Sequence, residues 1–167
     1  MVTADDVKRL REETGAGVMD SKRALEQAGG DFDKARSLLR EQGMAAAAKR
    51  AERATSQGLV EAYIHGGGRI GALVEVNCET DFVARTDTFR SLARDVAMQV
   101  AAMNPLGMNP EDVPDDAPGG KAPNALLTQP FIKDSSKTIG DLVKDAIAQT
   151  GENVRITRFS RFELGSA

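Results

Sequence analysis

The sequence predicts an α+β protein in which a three-helix bundle precedes a small antiparallel sheet packed with helices. Three observations predict it: amphipathic segments separated by glycine turns, two β-rich runs joined by three glycines, and one long apolar stripe at helical spacing. With 167 residues and 41% hydrophobic side chains, the chain can bury the cores that this architecture needs. We divide it into a three-helix domain (1–43), a helical linker (44–57) and an α+β core (58–167).

Capping residues define the first three helices. Thr3-Ala4-Asp5-Asp6 has the pattern of a capping box, and the glycines of Thr14-Gly15-Ala16-Gly17 end the helix that follows. Gly29-Gly30 ends a second helix, Asp31 caps a third, and we expect Gly43 to close the third. The alanine-rich run after Gly43 favours helix but has little to bury, so we interpret it as a linker.

The core begins with a predicted hairpin and continues with two helices. Residues 59–65 and 69–76 are β-rich and flank Gly66-Gly67-Gly68. A second capping box, Thr138-Ile139-Gly140-Asp141, begins the later helix, which Gly151 ends. The earlier helix has an apolar stripe formed by Phe89, Leu92, Ala93, Val96, Ala97, Val100 and Ala101.

Two segments depart from these regular patterns. Residues 104–123 contain five prolines with several Gly, Asp and Asn residues, which predicts a solvent-exposed loop with a disordered or irregular course. In the last predicted strand, Val154 and Ile156 alternate with polar residues, but the apolar phase shifts between Arg158 and Phe159. That shift predicts a β-bulge or a change of face in the third strand of the sheet.

Composition and charge exclude several classes of function. The net charge is −3, with 22 basic and 25 acidic residues interspersed, and the basic clusters are too short for a nucleic-acid-binding stripe. The single cysteine, Cys78, permits no intrachain disulfide and fits a reducing compartment. The N-terminus lacks a signal-peptide pattern, and no apolar run approaches the ~20 residues of a membrane span. We therefore expect a soluble, cytoplasmic protein with no membrane or direct nucleic-acid partner.

The sequence offers no set of residues for covalent or metal chemistry. It contains no Gly-x-x-x-x-Gly-Lys-Ser/Thr phosphate loop, no paired His/Cys ligand spacing and no Ser/His/Asp set. His65 has no second histidine to share a metal with, and we expect Cys78 to be a packed side chain rather than a nucleophile. We therefore expect a protein that is not an enzyme, without catalytic residues, cofactor or metal.

Five stretches of the sequence resemble the bacterial elongation factor Ts family. They occur in the family's order and are spread along nearly the whole chain apart from the proline-rich loop. They are VKRLREETGAGVMDSKRAL (7–25), LLREQG (38–43), VEVNCETDFVAR (74–85), GENV (151–154) and RFSRF (158–162).

The resemblance implies a domain similar to ubiquitin-associated domains, followed by a core that exchanges guanine nucleotide on a partner. That partner is the translational GTPase elongation factor Tu, in its GDP-bound and nucleotide-free forms. The family's Asp-Phe pair is understood to enter the GTPase near its magnesium site, and Asp81-Phe82 matches it. Thr80, Asp81, Phe82 and Val83 are thus the candidate partner-binding and magnesium-dislocating segment, with Phe82 as a wedge. Val18-Met19 matches a region that the family uses as a second contact with the GTPase.

Other interpretations of the same residues stay open. Thr80-Asp81-Phe82 could merely cap a helix and bury an aromatic ring, and Met19 could fill a core. The leading alternative function is a module in which the three helices bind helical or ubiquitin-like partners without exchange activity. An RNA-binding ribosome accessory is a third possibility, which the acidic charge balance disfavours.

The sequence also predicts a homodimer. Longer family members carry two core subdomains, and many have a helical excursion before a final Pro-Phe-x-Lys-Asp segment. Here only the proline-rich loop precedes Pro130-Phe131-Ile132-Lys133-Asp134, so the chain supplies one subdomain. One apolar face of the predicted three-stranded sheet remains exposed, and an exposed apolar face has to be buried. The simplest way to bury it is to pack it against a second copy of the chain. The dimer should not depend on a disulfide, because we expect Cys78 to be buried.

Overall fold

The computed structural model describes residues 2–166 of the chain. This part contains six α-helices and two antiparallel sheets, joined by turns and loops. The predicted α+β class is confirmed. The helices are α1 (Ala4–Thr14), α2 (Val18–Gln27), α3 (Phe32–Arg50), α4 (Asp81–Ala84), α5 (Asp87–Met103) and α6 (Ile139–Thr150). The strands are β1 (Gln57–His65), β2 (Ile70–Cys78), β3 (Pro130–Phe131), β4 (Asp134–Thr138) and β5 (Val154–Glu163).

Helices α1, α2 and α3 pack as the predicted three-helix bundle. The Thr3 hydroxyl accepts from the Asp6 amide at 3.2 Å and the Asp6 carboxylate accepts from the Thr3 amide at 2.9 Å, which completes the capping box. Gly15 ends α1 with a φ of +70°, a conformation that favours glycine. The small core is made of Val7, Leu10, Ala24, Leu25 and Ala35.

The expectation that Gly43 ends the third helix is wrong, because α3 continues to Arg50. A Cβ at Gly43 would lie 3.3 Å from the Cβ of Ala148 on α6, so the missing side chain allows the two helices to approach closely. Ala47 is buried in the core of the sheet domain, so the alanine-rich run does bury part of its surface. Docking on α6 offsets the roughly 1 kcal/mol that an interior glycine costs a helix.

The main sheet has the strand order β1–β2–β5, with antiparallel pairing throughout. Strands β1 and β2 form the predicted hairpin across residues 66–68. In the β2–β5 pair, Glu75 lies opposite Arg158 and Val76 lies opposite Ile156, so Thr157 is the extra residue of a β-bulge. The predicted irregularity is therefore confirmed, one residue before the expected place.

Helices α5 and α6 cover one face of this sheet, and the apolar stripe predicted for α5 is buried against it. The opposite face is not covered by helices and carries large exposed side chains. We call this surface the outer apolar face; it comprises Val60, Ile64, Leu73 and Phe162. Within residues 2–166, no helix is long and apolar enough to cross a membrane.

The proline-rich loop is exposed over most of its length but is anchored at a few points. The Leu106 amide donates to the Asn124 carbonyl at 2.8 Å, and the Leu126 amide donates to the Gly107 carbonyl at 2.9 Å. Val113 is buried. The expectation of an exposed loop of irregular course is therefore confirmed, since most of residues 104–123 are exposed and form no α-helix or strand. Backbone hydrogen bonds and this apolar anchor nevertheless fix the loop against the following segment, which the expectation of disorder did not include.

The β3–β4 hairpin was not predicted from the sequence. Its second strand is entirely polar (Asp134–Thr138), so it has no alternating pattern to detect. The buried Gln99 side chain of α5 holds the hairpin: its amide donates to the Pro130 carbonyl at 3.1 Å and its oxygen accepts from the Ile132 amide at 3.0 Å. A glutamine within the helical stripe thus satisfies the backbone of a neighbouring segment.

Candidate partner-binding site

Residues 80–83, the candidate segment, lie directly beyond the end of β2 and form most of the four-residue helix α4. Thr80 is the N-cap of α4, and its hydroxyl accepts from the Val83 amide at 3.4 Å. Thr86, not Thr80, caps the long helix α5. The interpretation of Thr80 as the cap of the long following helix is therefore wrong, and Thr80 caps the short helix α4 instead.

Phe82 points away from the protein and is 78% exposed, the largest exposed fraction of any large apolar side chain in residues 2–166. Its neighbours on α4 fix this orientation, because Ala84 is buried and Val83 packs on the core of the sheet domain. The interpretation that this segment buries its aromatic ring is therefore wrong. An exposed ring on a short, anchored helix is typical of a contact surface rather than of a core.

Asp81 lies beside Phe82 at the start of α4. Its carboxylate pairs with the Arg85 guanidinium at 3.0 Å, and about half of the Asp81 side chain is exposed. An exposed ion pair of this kind contributes little to stability. The Asp81 carboxylate can therefore exchange its partner for a new donor at little cost.

Two carboxylates tie the base of α4 to the start of β5. The Glu152 carboxylate accepts from the Glu79 amide at 3.1 Å, the Thr80 amide at 3.0 Å and the Thr80 hydroxyl at 2.6 Å. In return, the Glu79 carboxylate accepts from the Asn153 amide at 2.7 Å. We call this arrangement of Glu79, Thr80, Glu152 and Asn153 the carboxylate clasp. Glu79, Glu152 and Asn153 were not predicted as site residues, although all three lie in stretches that carry the resemblance.

Cys78 is fully buried at the end of β2, next to the clasp. Burial raises the pKa of its thiol, and the nearby Glu152 charge raises it further. The thiol donates to the Thr80 carbonyl at 3.1 Å. The prediction that Cys78 is a packed side chain is confirmed by its complete burial.

Val18 and Met19 begin α2 and are 53% and 63% exposed. The interpretation of Met19 as core filler is therefore wrong. These two residues belong to the three-helix bundle, whereas α4 packs on the core of the sheet domain. The structure thus presents two separate exposed apolar segments, Val18-Met19 and the one around Phe82.

The two segments are joined through α3 and α6. Arg40 of α3 pairs with Asp141 of α6 at 3.5 Å, and Gly43 packs on Ala148. Beyond α3, the buried Asn153 side chain donates to the Ala51 carbonyl at 3.2 Å and the Arg53 carbonyl at 2.8 Å. The residue that follows Glu152 therefore also holds the end of the helix that leads from the bundle.

The exposed apolar segments of this site are surfaces suited to contact with a partner. Among residues 2–166, no three His, Cys, Asp or Glu side chains are grouped so that they could hold a metal ion. A cavity of about 510 Å³ lies between the bundle and α6 and is lined by side chains of both charges.

A family model described as Elongation factor TS matches residues 19–118, more than half of the chain and including all of α4. The chain belongs to the elongation factor Ts family. The elongation factor Ts of Carboxydothermus hydrogenoformans is 51% identical over 195 aligned positions, which cover 99% of this chain and 90% of that protein. The elongation factor Ts of Rubrobacter xylanophilus is 48% identical, with 96% of this chain and 97% of that protein covered.

The elongation factor Ts of Caldanaerobacter subterraneus is 49% identical, with 99% of this chain and 98% of that protein covered. Its alignment spans 195 positions and the chain has 167 residues, so that elongation factor Ts contains residues with no counterpart here. The short proline-rich connection before Pro130 predicts that longer family members contain such additional residues.

Proposed function

We propose that this chain is a guanine-nucleotide exchange factor for elongation factor Tu and that it promotes GDP release by inserting Asp81-Phe82 near the magnesium site of the GTPase. Membership of the elongation factor Ts family supports the role in translation elongation. The observation that carries the mechanism is the exposure of Phe82, 78%, on a short helix with an anchored base.

The thermodynamic requirement on such a factor is a preference for one state of its partner. Binding the nucleotide-free GTPase more tightly than the GDP-bound form lowers GDP affinity by the same ratio. A hundredfold ratio corresponds to about 2.7 kcal/mol. No covalent step is needed.

Phe82 can supply most of that preference. Complete burial of a Phe ring stabilises a complex by roughly 1.5–3 kcal/mol. The ring contributes this energy only if its pocket is open in the nucleotide-free GTPase and closed in the GDP-bound form. A single aromatic wedge is therefore of the right magnitude to supply most of the preference.

Asp81 has a different role in the proposal. Mg²⁺ requires near-octahedral geometry at about 2.0–2.1 Å, so a small displacement of the elements that carry its ligands weakens its hold on the nucleotide phosphates. The Asp81 carboxylate can orient the entering segment by accepting hydrogen bonds from the GTPase. Thr80 and Val83 hold the two ends of the segment, since one caps α4 and the other packs on the core.

Val18 and Met19 provide the second contact in this proposal. Both are exposed at the start of α2, and their bundle is joined to the sheet domain through α3 and α6. Two contacts on connected elements bind more tightly than either alone, because the second contact forms without a further loss of translational freedom. We assign residues 1–43 to this contact, 44–57 to the connection and 58–167 to exchange and dimerisation.

We also propose that the chain works as a homodimer in the cytoplasm, without direct contact with nucleic acid. The outer apolar face supports the dimer. Ile64 and Phe162 lie on either side of Gly71 in the sheet register, and the Ile64 side chain lies over Gly71. A second copy packed by a two-fold axis would bury this surface on both chains. The net charge of −3 agrees with a protein partner rather than an RNA.

Release of a fluorescent GDP analogue from elongation factor Tu tests the proposed function. Stopped-flow mixing with excess unlabelled GDP should give a release rate that rises with the concentration of the chain and then saturates. Capture of nucleotide-free elongation factor Tu on immobilised chain should occur in parallel. Capture without faster release would favour the alternative of a binding module, and the absence of both would refute the proposal.

A further inference from the structure

We propose that Glu152 is the positioning residue of segment 80–83, the residue that sets the direction in which α4 presents Phe82. This inference rests on the proposed function, because it concerns how that segment reaches the GTPase. The observation behind it is the carboxylate clasp, in which one side chain from the turn before β5 meets three donors at the base of α4.

A helix of four residues cannot set its own direction. Nucleation of an isolated turn is unfavourable, so α4 depends on whatever fixes its first residues. Thr80, the N-cap, fixes the start of α4, and Glu152 accepts from both its amide (3.0 Å) and its hydroxyl (2.6 Å). The base of α4 is thus held from outside by a residue 72 positions later in the chain.

The Thr80 hydroxyl transmits this hold to α4. It donates its one hydrogen to Glu152, so a lone pair of the same oxygen is free to accept from the Val83 amide at 3.4 Å. Without an acceptor at Glu152, the hydroxyl hydrogen could rotate to other positions and the cap would lose its fixed orientation. The direction of α4, and of the Phe82 ring on it, therefore follows from the Glu152 carboxylate.

Glu152 itself has a rigid base. Its neighbour Asn153 is almost completely buried, donates its amide to the Glu79 carboxylate at 2.7 Å and donates its side-chain amide to the Arg53 carbonyl at 2.8 Å. Glu79 also pairs with the Arg53 guanidinium at 3.6 Å. The carboxylate clasp is therefore fixed to the sheet and to the chain that leaves α3.

The site requires a carboxylate and not merely a polar side chain. Three donors converge on Glu152, and an ionised carboxylate is the side chain that offers two acceptor oxygens and no hydrogen. Glutamine has the same shape, but its NH₂ group would face at least one of these donors. Glu152→Gln should therefore release the base of α4 although it preserves the volume of the side chain.

The experiment measures GDP release from elongation factor Tu with the wild-type chain, Glu152→Gln, Phe82→Ala and the double variant. We expect Glu152→Gln to lower the maximal release rate about tenfold, the effect of about 1.4 kcal/mol, because fewer molecules present Phe82 in the productive direction. The half-saturating concentration should change less than threefold, since Val18 and Met19 are untouched. Glu111→Gln, the same change at an exposed position of the proline-rich loop, should behave as wild type.

Two further measurements separate positioning from loss of structure. Amide hydrogen exchange of residues 79–84 should become at least tenfold faster in Glu152→Gln and stay unchanged in Glu111→Gln. In the Phe82→Ala background, Glu152→Gln should cause little additional loss, because its effect passes through the absent ring. If Glu152→Gln does not fold, Thr80→Val and Thr80→Ser test the same link, and only Thr80→Ser should retain exchange activity.

Several results would overturn the inference. One is a normal maximal release rate in a folded Glu152→Gln chain. Another is an equal loss of release rate when Glu152→Gln is introduced into the wild-type chain and into the Phe82→Ala chain. The third is equal exchange activity of Thr80→Val and Thr80→Ser. If the wild-type chain itself does not accelerate release, the proposed function fails, and the role of Glu152 fails with it. The wild-type measurement therefore distinguishes the two failures.

Discussion

Phe82→Ala should remove most of the exchange activity and leave the fold intact. The ring is 78% exposed in the free chain, so truncating it removes few contacts within the protein. We expect the free energy of unfolding to change by less than about 0.5 kcal/mol, as for other exposed side chains. Circular dichroism and chemical denaturation check this part.

The loss of activity can be estimated from the same exposure. Complete burial of a Phe ring is worth at most about 3 kcal/mol, and a ring that is 78% exposed has about 2 kcal/mol of this still to gain on binding. If that gain occurs only with the nucleotide-free GTPase, the variant should stimulate GDP release about 30-fold less than wild type. Stopped-flow release of a fluorescent GDP analogue at several concentrations measures this ratio.

Leu106→Ala is a suitable control for this experiment. Leu106 is also an exposed apolar residue, but it lies in the proline-rich loop and not on α4. It should retain wild-type stimulation. A folded Phe82→Ala chain with near-normal stimulation would refute the wedge, and an equal loss in Leu106→Ala would show that exposed apolar surface in general causes the effect.

Three other predictions follow from the structure. Met19→Ala should weaken binding to elongation factor Tu about tenfold in a calorimetric titration without loss of folding, and an unchanged affinity would remove the second contact. Phe162→Arg should convert the dimer into a monomer, because dimerisation would bury the new charge on the outer apolar face without a partner. Sedimentation at micromolar concentration measures this, and a wild-type monomer that still exchanges nucleotide would contradict the dimer. Asp141→Ala should lower the free energy of unfolding by about 1 kcal/mol at pH 7 and by less in acid, as judged by urea denaturation.

The direction of the Asp141 prediction follows from its pKa. Partial burial opposes ionisation, but hydrogen bonds from the Thr138 amide and hydroxyl and the Arg40 charge outweigh it, so the pKa of Asp141 in the folded chain is lowered. The carboxylate therefore contributes its full stability above its unfolded pKa of about 4 and loses it as pH falls through the lower folded value. An equal effect of the substitution at pH 7 and pH 2 would contradict this.

Regular patterns made much of the fold predictable. The α5 stripe is unbroken over seven positions, and the capping boxes at Thr3 and Thr138 fix two helix starts through short-range bonds. The extension of α3 past Gly43 was not predictable, because it depends on the distant Ala148. The same holds for the β3–β4 hairpin, which depends on a buried Gln99 and not on its own residues.

The candidate site was predictable only in part. The stretch around Asp81-Phe82 could be recognised as a family match, but the exposure of Phe82 depends on which side of α4 packs on the core. The contribution of Glu152 depends on the pairing of Cys78 with Val154, which brings the end of β2 next to the start of β5. A three-stranded sheet with this strand order had to be known before two segments so distant in the chain could be placed together.

An exchange factor must distinguish two states of elongation factor Tu. Isothermal titration of the chain into nucleotide-free and into GDP-bound elongation factor Tu measures that difference directly. We expect the chain to bind the nucleotide-free form at least about a hundredfold more tightly, a difference of about 2.7 kcal/mol. Equal affinity for the two forms would contradict it, because a factor without that preference cannot lower the affinity of its partner for GDP.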